Sequence, residues 1–153
     1  MKNIDKLKIN CELEINSFTI RNGFIVLNNH FRGKNEVVDD GLEKVCLLLG
    51  NSGASNYISQ IGFGTGTAAE DASDTGLTNQ FLKAVEGITY PTTNSLEVEF
   101  DLDLLEYNGN VVTEYGLFTA DSTLFSRKVK SAISKEDTIY ISGTWTITVS
   151  YSA

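Results

Sequence analysis

Few residues in this chain have both the type and the spacing for chemistry. The one histidine, His30, follows Asn28-Asn29 in a polar stretch. A catalytic base needs a nucleophile or a second histidine within reach, and neither a G-x-S-x-G turn nor a zinc spacing accompanies it. The run Gly62-Phe63-Gly64-Thr65-Gly66-Thr67 invites comparison with a phosphate loop, because glycines let backbone N–H groups approach a phosphate. It lacks the Gly-Lys-Ser/Thr of one such loop and the third glycine and βαβ unit of the other, so it reads as a strand end that turns sharply on glycines of positive φ. Glu70, Asp71 and Asp74 offer oxygens of the kind calcium takes, at a spacing that fits no EF-hand loop. They read as a solvated loop, with Asp74-Thr75 capping a short helix over Gly76–Lys83. No catalytic, cofactor-binding or metal-ligating residue is assigned, and the expectation is that the chain is not an enzyme and carries no cofactor.

Other polar and aromatic groups read as structure. Glu97, Glu99, Asp101 and Asp103 alternate with Val98, Phe100, Leu102 and Leu104, which sets four like charges on one face of a strand. Such a face is solvated or receives a basic patch of a partner; a glycosidase pair would need one carboxyl in apolar surroundings, which nothing here indicates. Trp145 shares the alternation of Ile141, Ile147 and Val149 and belongs to a core rather than a sugar-stacking platform. Arg127, after Leu124-Phe125-Ser126, is placed to pair with an acid such as Glu114. Cys11 and Cys46 lie in different elements with no C-x-x-C, so both are expected as buried free thiols.

The elements that must position these groups follow from periodicity. Leu7, Ile9, Cys11, Leu13 and Ile15 alternate with polar residues and mark an N-terminal strand; Phe24–Leu27 adds a short one. Glu36–Leu49 reads as a helix, with Val38, Leu42, Val45, Cys46 and Leu49 on one apolar face, acids in the first turns and Gly50 after its end. Gly41 is a weak point in it. Tyr57–Phe63 is a strand, and 64–78 a long Gly/Thr/Ala/Asp-rich loop suited to an interface. Asn108-Gly109 predicts a hairpin joining the acidic strand to Val111–Phe118, and Asp121-Ser122 a turn before Leu124–Val129. Ile139–Tyr151 is a long closing strand. The single proline, Pro91, falls in a turn-like Tyr90–Asn94 stretch, leaving the strands free of it. The whole predicts one β-rich α+β domain over residues 1–153: an antiparallel β-sandwich with one main helix packed against it.

Composition bounds the partners. A chain of 153 residues with 41% hydrophobic residues can bury a core without disulfides or metal. Twelve Lys+Arg against 20 Asp+Glu give a net charge of -8 and a pI near 4.6, which disfavours nucleic acid. Mean hydropathy is -0.09 and no apolar run reaches the length of a membrane span, so a membrane is not expected either. Met1–Lys8 has no apolar stretch of the kind a secretion signal carries, and synthesis in the cytosol is expected.

Taken in order, Ile61-Gly62-Phe63-Gly64-Thr65-Gly66-Thr67, Asp74-Thr75-Gly76-Leu77, Thr113-Glu114-Tyr115-Gly116-Leu117-Phe118, Leu124-Phe125-Ser126-Arg127, Lys135–Asp137 and Thr144-Trp145-Thr146-Ile147-Thr148 resemble a family of small bacteriophage virion proteins. That family shares a G-x-G-T-G…D-T-x-L loop, an E-x-G-L-F strand, an F-x-R element, a K-x-x-D segment, to which Lys135-Glu136-Asp137 corresponds with one residue fewer, and a closing W-T-I-T strand. The resemblance runs from about Glu36 to Tyr151. Lys130-Ser131-Ala132-Ile133 stands where the family more usually has a proline-containing turn. What the resemblance implies is a non-enzymatic component of the virion, in the tail, neck, fibre, collar or capsid surface, made in the host cytoplasm. The expected partners are further copies of the chain, in a homo-oligomer, and other phage tail, neck or capsid proteins. Gly64, Thr65, Gly66, Thr67, Asp74 and Leu77 in the loop, and Leu7, Ile9 and Leu13 in the N-terminal strand, are the candidate interface residues. The N-terminal strand is the one expected to add to a neighbour's sheet. Capsid decoration or a head fibre is the nearest alternative, and a carbohydrate- or receptor-binding module using exposed aromatics such as Tyr140 the next.

Overall fold

A computed structural model describes residues 6–152. The opening residues 1–5 of the expected N-terminal strand lie outside the described residues, as does residue 153. Nine strands and one helix follow in the order β1 (Lys6–Arg21), β2 (Phe24–Val37), α1 (Asp39–Leu49), β3 (Ile58–Gly64), β4 (Phe81–Ala84), β5 (Gly87–Thr92), β6 (Ser95–Leu102), β7 (Val111–Thr119), β8 (Leu124–Ser134) and β9 (Ile139–Ser152). The strands form one antiparallel sheet in the order β4-β3-β7-β8-β2-β1-β9-β6-β5. The fold is thus β-rich α+β, as expected, but its two layers are halves of a single sheet. Five strands, β2-β1-β9-β6-β5, face four, β4-β3-β7-β8, and among the described residues the halves are joined by strand pairing at Glu36↔Arg127 and Val37↔Ser126 alone.

Alternation explains the core between the halves. Cys11, Leu13 and Ile15 of β1, Val98, Phe100 and Leu102 of β6, and Ile141, Trp145 and Ile147 of β9 point inward and are buried. They meet Ile61, Phe63, Tyr115 and Leu117 from the other half. Phe63 stands edge-on to Phe100 and to Tyr115 at 6.1 and 5.7 Å. At the open side the chain steps from one edge to the other through Val85 and Glu86, whose amides donate to Ser59 O and Glu99 O. β7 is buried on both faces: Tyr115 and Leu117 join the main core, while Phe118 packs with Val38, Leu124, Leu77 and Leu82 in a second one.

Several expectations are corrected. The helix starts at Asp39, because Glu36 and Val37 are held in strand conformation by β8. Its expected apolar face is largely outside: Leu42, Cys46 and Leu49 are exposed, the last at 81%, and only Val38, Gly41 and the half-buried Val45 turn inward. Gly41 is where the helix touches β8, since a Cβ there would collide with the Phe125 carbonyl. Gly50 has φ −84, and Asn51 takes the left-handed turn at φ 51. No helix forms over 76–83; Phe81–Ala84 is β4, drawn into extended form by pairing with β3. The acidic strand β6 does not form a hairpin with β7. It pairs with β9 and β5, and Asn108-Gly109 turns within a crossing from one half to the other. Pro91 lies within β5 rather than in a turn, a strand at the edge of the sheet that tolerates a missing N–H.

Candidate functional site

Four of the six motifs that carry the family resemblance, those at 61–67, 74–77, 113–118 and 124–127, converge on one buried carboxylate, while Lys135–Asp137 and Thr144–Thr148 lie elsewhere. β7 turns Glu114 away from the main core, towards the loop of residues 64–80. Its Oε1 accepts from the amides of Gly66 (2.8 Å) and Thr78 (2.6 Å), and its Oε2 from Arg127 Nε (2.8 Å) on β8. Arg127 completes its fork on Asp74 Oδ2 (2.7 Å) and the carbonyls of Ala68 and Ala69. Burial opposes the guanidinium charge, but the hydrogen bonds to Asp74 and Glu114 outweigh it and raise the Arg127 pKa above its ordinary value. Thr113 Oγ1 donates to Gly66 O (2.7 Å), and Glu70 accepts from the Val129 amide (2.8 Å) and pairs with Lys128 (2.9 Å). Burial works against the Glu70 charge, yet these two donors hold its pKa below the usual carboxylate range.

The glycines have a different reason from the one expected. Gly62, Gly64 and Gly66 do not have positive φ. A Cβ at Gly64 or Gly66 would lie 2.5 Å from Glu114 Oε1, and one at Gly62 the same distance from the Phe118 ring. The run therefore allows the backbone to close on Glu114 and Phe118. Of the candidate interface residues, Gly64 and Gly66 are buried in this clamp, Thr65, Asp74 and Leu77 are half-buried and Thr67 is exposed. Leu13 is in the core, Ile9 half-buried and Leu7 exposed; β1 is paired on both edges, by β2 and β9. A second buried cation, Lys135, holds the 103–110 crossing by donating to Leu104 O, Asn108 Oδ1 and Glu136 O.

The remaining candidates are placed as follows. His30 is exposed on β2 with Nδ1 2.7 Å from Asn16 Oδ1. Asp71 caps its own turn through Ser73. Trp145 is fully buried, and its Nε1 lies 2.8 Å from the Asn35 amide oxygen once that amide is oriented to accept. Asp101 accepts from Lys83 (2.5 Å) and Tyr140 (3.0 Å), and Asp103 lies just beyond β6. Burial and the hydrogen bond to Asp101 push the Tyr140 hydroxyl up to about 12. Cys11 is buried, whereas Cys46 is exposed, contrary to expectation. Among the described residues no group of three His, Cys, Asp or Glu is placed to hold a metal ion, and no helix is long and apolar enough to cross a membrane.

Sequence reasoning placed a short strand at Phe24–Leu27 but missed the long hairpin to which it belongs and its exposed tip. β1 and β2 form one long hairpin closed by Asn22-Gly23, both at positive φ (48° and 79°), a two-residue turn signal present in the sequence. Its tip overhangs the sandwich, so Phe24, Ile25, Val26 and Leu27 are exposed in succession, Phe24 at 75%. Among the described residues, 24–35 of β2 have no strand paired on their outer edge, since β8 pairs only at Glu36 and Val37. Beside the hairpin, the outer face of the five-stranded half forms a shallow trough of ≈ 470 Å³ between Glu14 and the β6 acids, with Ser142 and Thr144 in its floor. At the far end of the same half, Tyr90 and Tyr151 stand exposed around an apolar hollow of ≈ 430 Å³ with Leu7 and Leu96. With this geometry, the chain was compared with known proteins: no family model, no curated protein and no solved structure matches it.

Proposed function

We propose that the chain is a structural subunit of a bacteriophage virion, serving in the tail or neck region as an adaptor or fibre-attachment subunit. The observation that supports this most is the convergence of the motifs. Gly66, Asp74, Glu114 and Arg127, which belong to four of the motifs behind the resemblance to small virion proteins, are far apart in sequence yet form one connected hydrogen-bonded network, with Gly64 packed closely on Glu114. A motif set that meets in space in this way is a set of fold determinants, and sharing it argues for sharing the fold. The exposed apolar hairpin tip adds a surface of the kind that marks protein–protein contact. A capsid-surface position fits the same observations. Labelling virions of the encoding phage with an antibody to the chain, followed by imaging, tests the proposal: label at the tail or neck is expected, label on the capsid selects the decoration reading, and particles without label overturn both.

A receptor-binding role is favoured by one observation, the exposed Tyr90 and Tyr151 beside an apolar hollow, since aromatic faces stack on sugars. Glycan-array binding that is lost in Tyr90→Ala and Tyr151→Ala would support it, and no binding by the unaltered chain would end it.

A further inference from the structure

The outer face of the five-stranded half carries a charge pattern that repeats in rows. Register places Lys34 (β2), Glu12 (β1), Thr146 (β9) and Glu97 (β6) side by side. The next row is Arg32, Glu14, Thr144 and Glu99, and the third His30, Asn16, Ser142 and Asp101. Period-two alternation sets all of these on one face. Each row therefore begins with a base on β2 and ends with an acid on β6, with hydroxyl residues on β9 between them. Towards the hairpin tip the same face turns apolar, through Leu27, Phe18 and Tyr140 and then Ile25 and Ile20. Arg32 is paired with Glu12, and Asp101 with Lys83, but among the described residues Lys34, Glu97 and Glu99 have no ion pair within the chain.

We propose that this face is the contact between two copies of the chain, related by a two-fold axis that runs parallel to the strands between β1 and β9. Such an axis keeps every row at its own height while laying β2 of one copy over β6 of the other. Lys34 then meets Glu97 of the second copy, Arg32 meets its Glu99 and His30 its Asp101, and each contact occurs twice. Glu12 and Glu14 descend over the Thr146 and Thr144 floor, where hydroxyls can donate to them. At the apolar end Phe18 of one copy meets Tyr140 of the other, while Leu27 and Ile25 lie over the chain just beyond the second copy's β6. A two-fold axis in the plane of the face but perpendicular to the strands would instead reverse the strands, lay β2 over β2 and set the apolar end against the charged rows. Three rows span four strands, the fourth three and the fifth two, and at about 4.8 Å between strands and about 6.8 Å between rows this gives a footprint of roughly 550 Å² in plan, somewhat below the roughly 800 Å² per partner of a specific interface.

This inference specifies the self-contact of the structural subunit proposed above, and its test needs no virion, so the two fail separately. Sedimentation of the purified chain at low salt is expected to show a dimer. Arg32→Glu with Lys34→Glu leaves acids facing acids, and Glu97→Lys with Glu99→Lys leaves bases facing bases. Each pair of substitutions should weaken dimerisation by at least about tenfold, because like charges are then apposed twice. An equimolar mixture of the two variants should form a heterodimer, and a chain carrying all four substitutions should recover the homodimer. All four side chains lie on the surface, and circular dichroism checks that each variant is folded. A monomeric unaltered chain, undiminished association of either double variant, or a mixture and a fourfold variant that both stay monomeric would overturn the proposal.

Discussion

Glu114 is buried with four donors around its two oxygens, and that satisfaction is what makes a carboxylate tolerable inside the sheet. Removing one partner of such a pair strands the other, at a cost of about 3–5 kcal/mol. Arg127→Met is therefore expected to lower the unfolding free energy by that amount in urea titrations. The combination Arg127→Met with Glu114→Gln should cost clearly less than the sum of the single changes, whereas simple additivity would mean that the two do not act as a pair. Cys11 gives a second test at this scale. Burial pushes its thiol up to about 12, while the unfolded thiol ionises at about 8.5. The folded state thus holds the proton more tightly: this contribution is whole below about pH 8.5 and is lost as pH rises towards 12. Cys11→Val should flatten the fall of stability across that alkaline range. The Glu114–Arg127 pairing was legible in the sequence because Glu114 is the one charge in its strand and Arg127 follows the apolar Leu124-Phe125 in the next. The third partner, Asp74, was not, since only the closed loop brings it there. The glycines were legible as special positions, but their reason depends on Glu114 lying beneath them.

Elements show where local pattern prevails and where tertiary contact overrides it. The strands with strict alternation, β1, β6 and β9, were readable because one side chain in two is buried. The extent of β2 was not. His30, Arg32 and Lys34 lie on its solvent face and Phe24–Leu27 is exposed at its tip, so the burial that produces alternation is missing over much of its length. The helix was located by its periodicity, yet its apolar residues mostly face outward, because contact with β8 is made through the smallest residue, Gly41. Gly41→Ala would normally favour a helix, by about 1 kcal/mol. Here the added methyl meets the Phe125 carbonyl, and thermal unfolding is expected to shift downward, by an amount equivalent to about 1–3 kcal/mol. A rise in melting temperature would mean that α1 does not rest on β8 in this way. The 76–83 segment illustrates the opposite override: pairing of Leu82 and Lys83 with Gly62 and Ile61 draws it into a strand where propensity and a cap residue suggested a helix.

At the scale of the molecule, a single sheet folded on itself places its polar outer face, the hairpin tip and the aromatic hollow on one five-stranded half. The Gly-rich loop and the helix cover the other. The net charge of -8 is accordingly uneven, with bases along β2 and acids along β6 in matching rows. Row matching of this kind could not be read from sequence, because β2 and β6 are related only through the pairing of β1 and β9 between them. The account makes the chain a building block of a virion, and that central claim is tested most directly by quantitative mass spectrometry of gradient-purified particles from the encoding phage. The account predicts the chain at a fixed, multiple copy number per particle. Particles that lack it, in lysates where the chain is plainly expressed, would contradict the account.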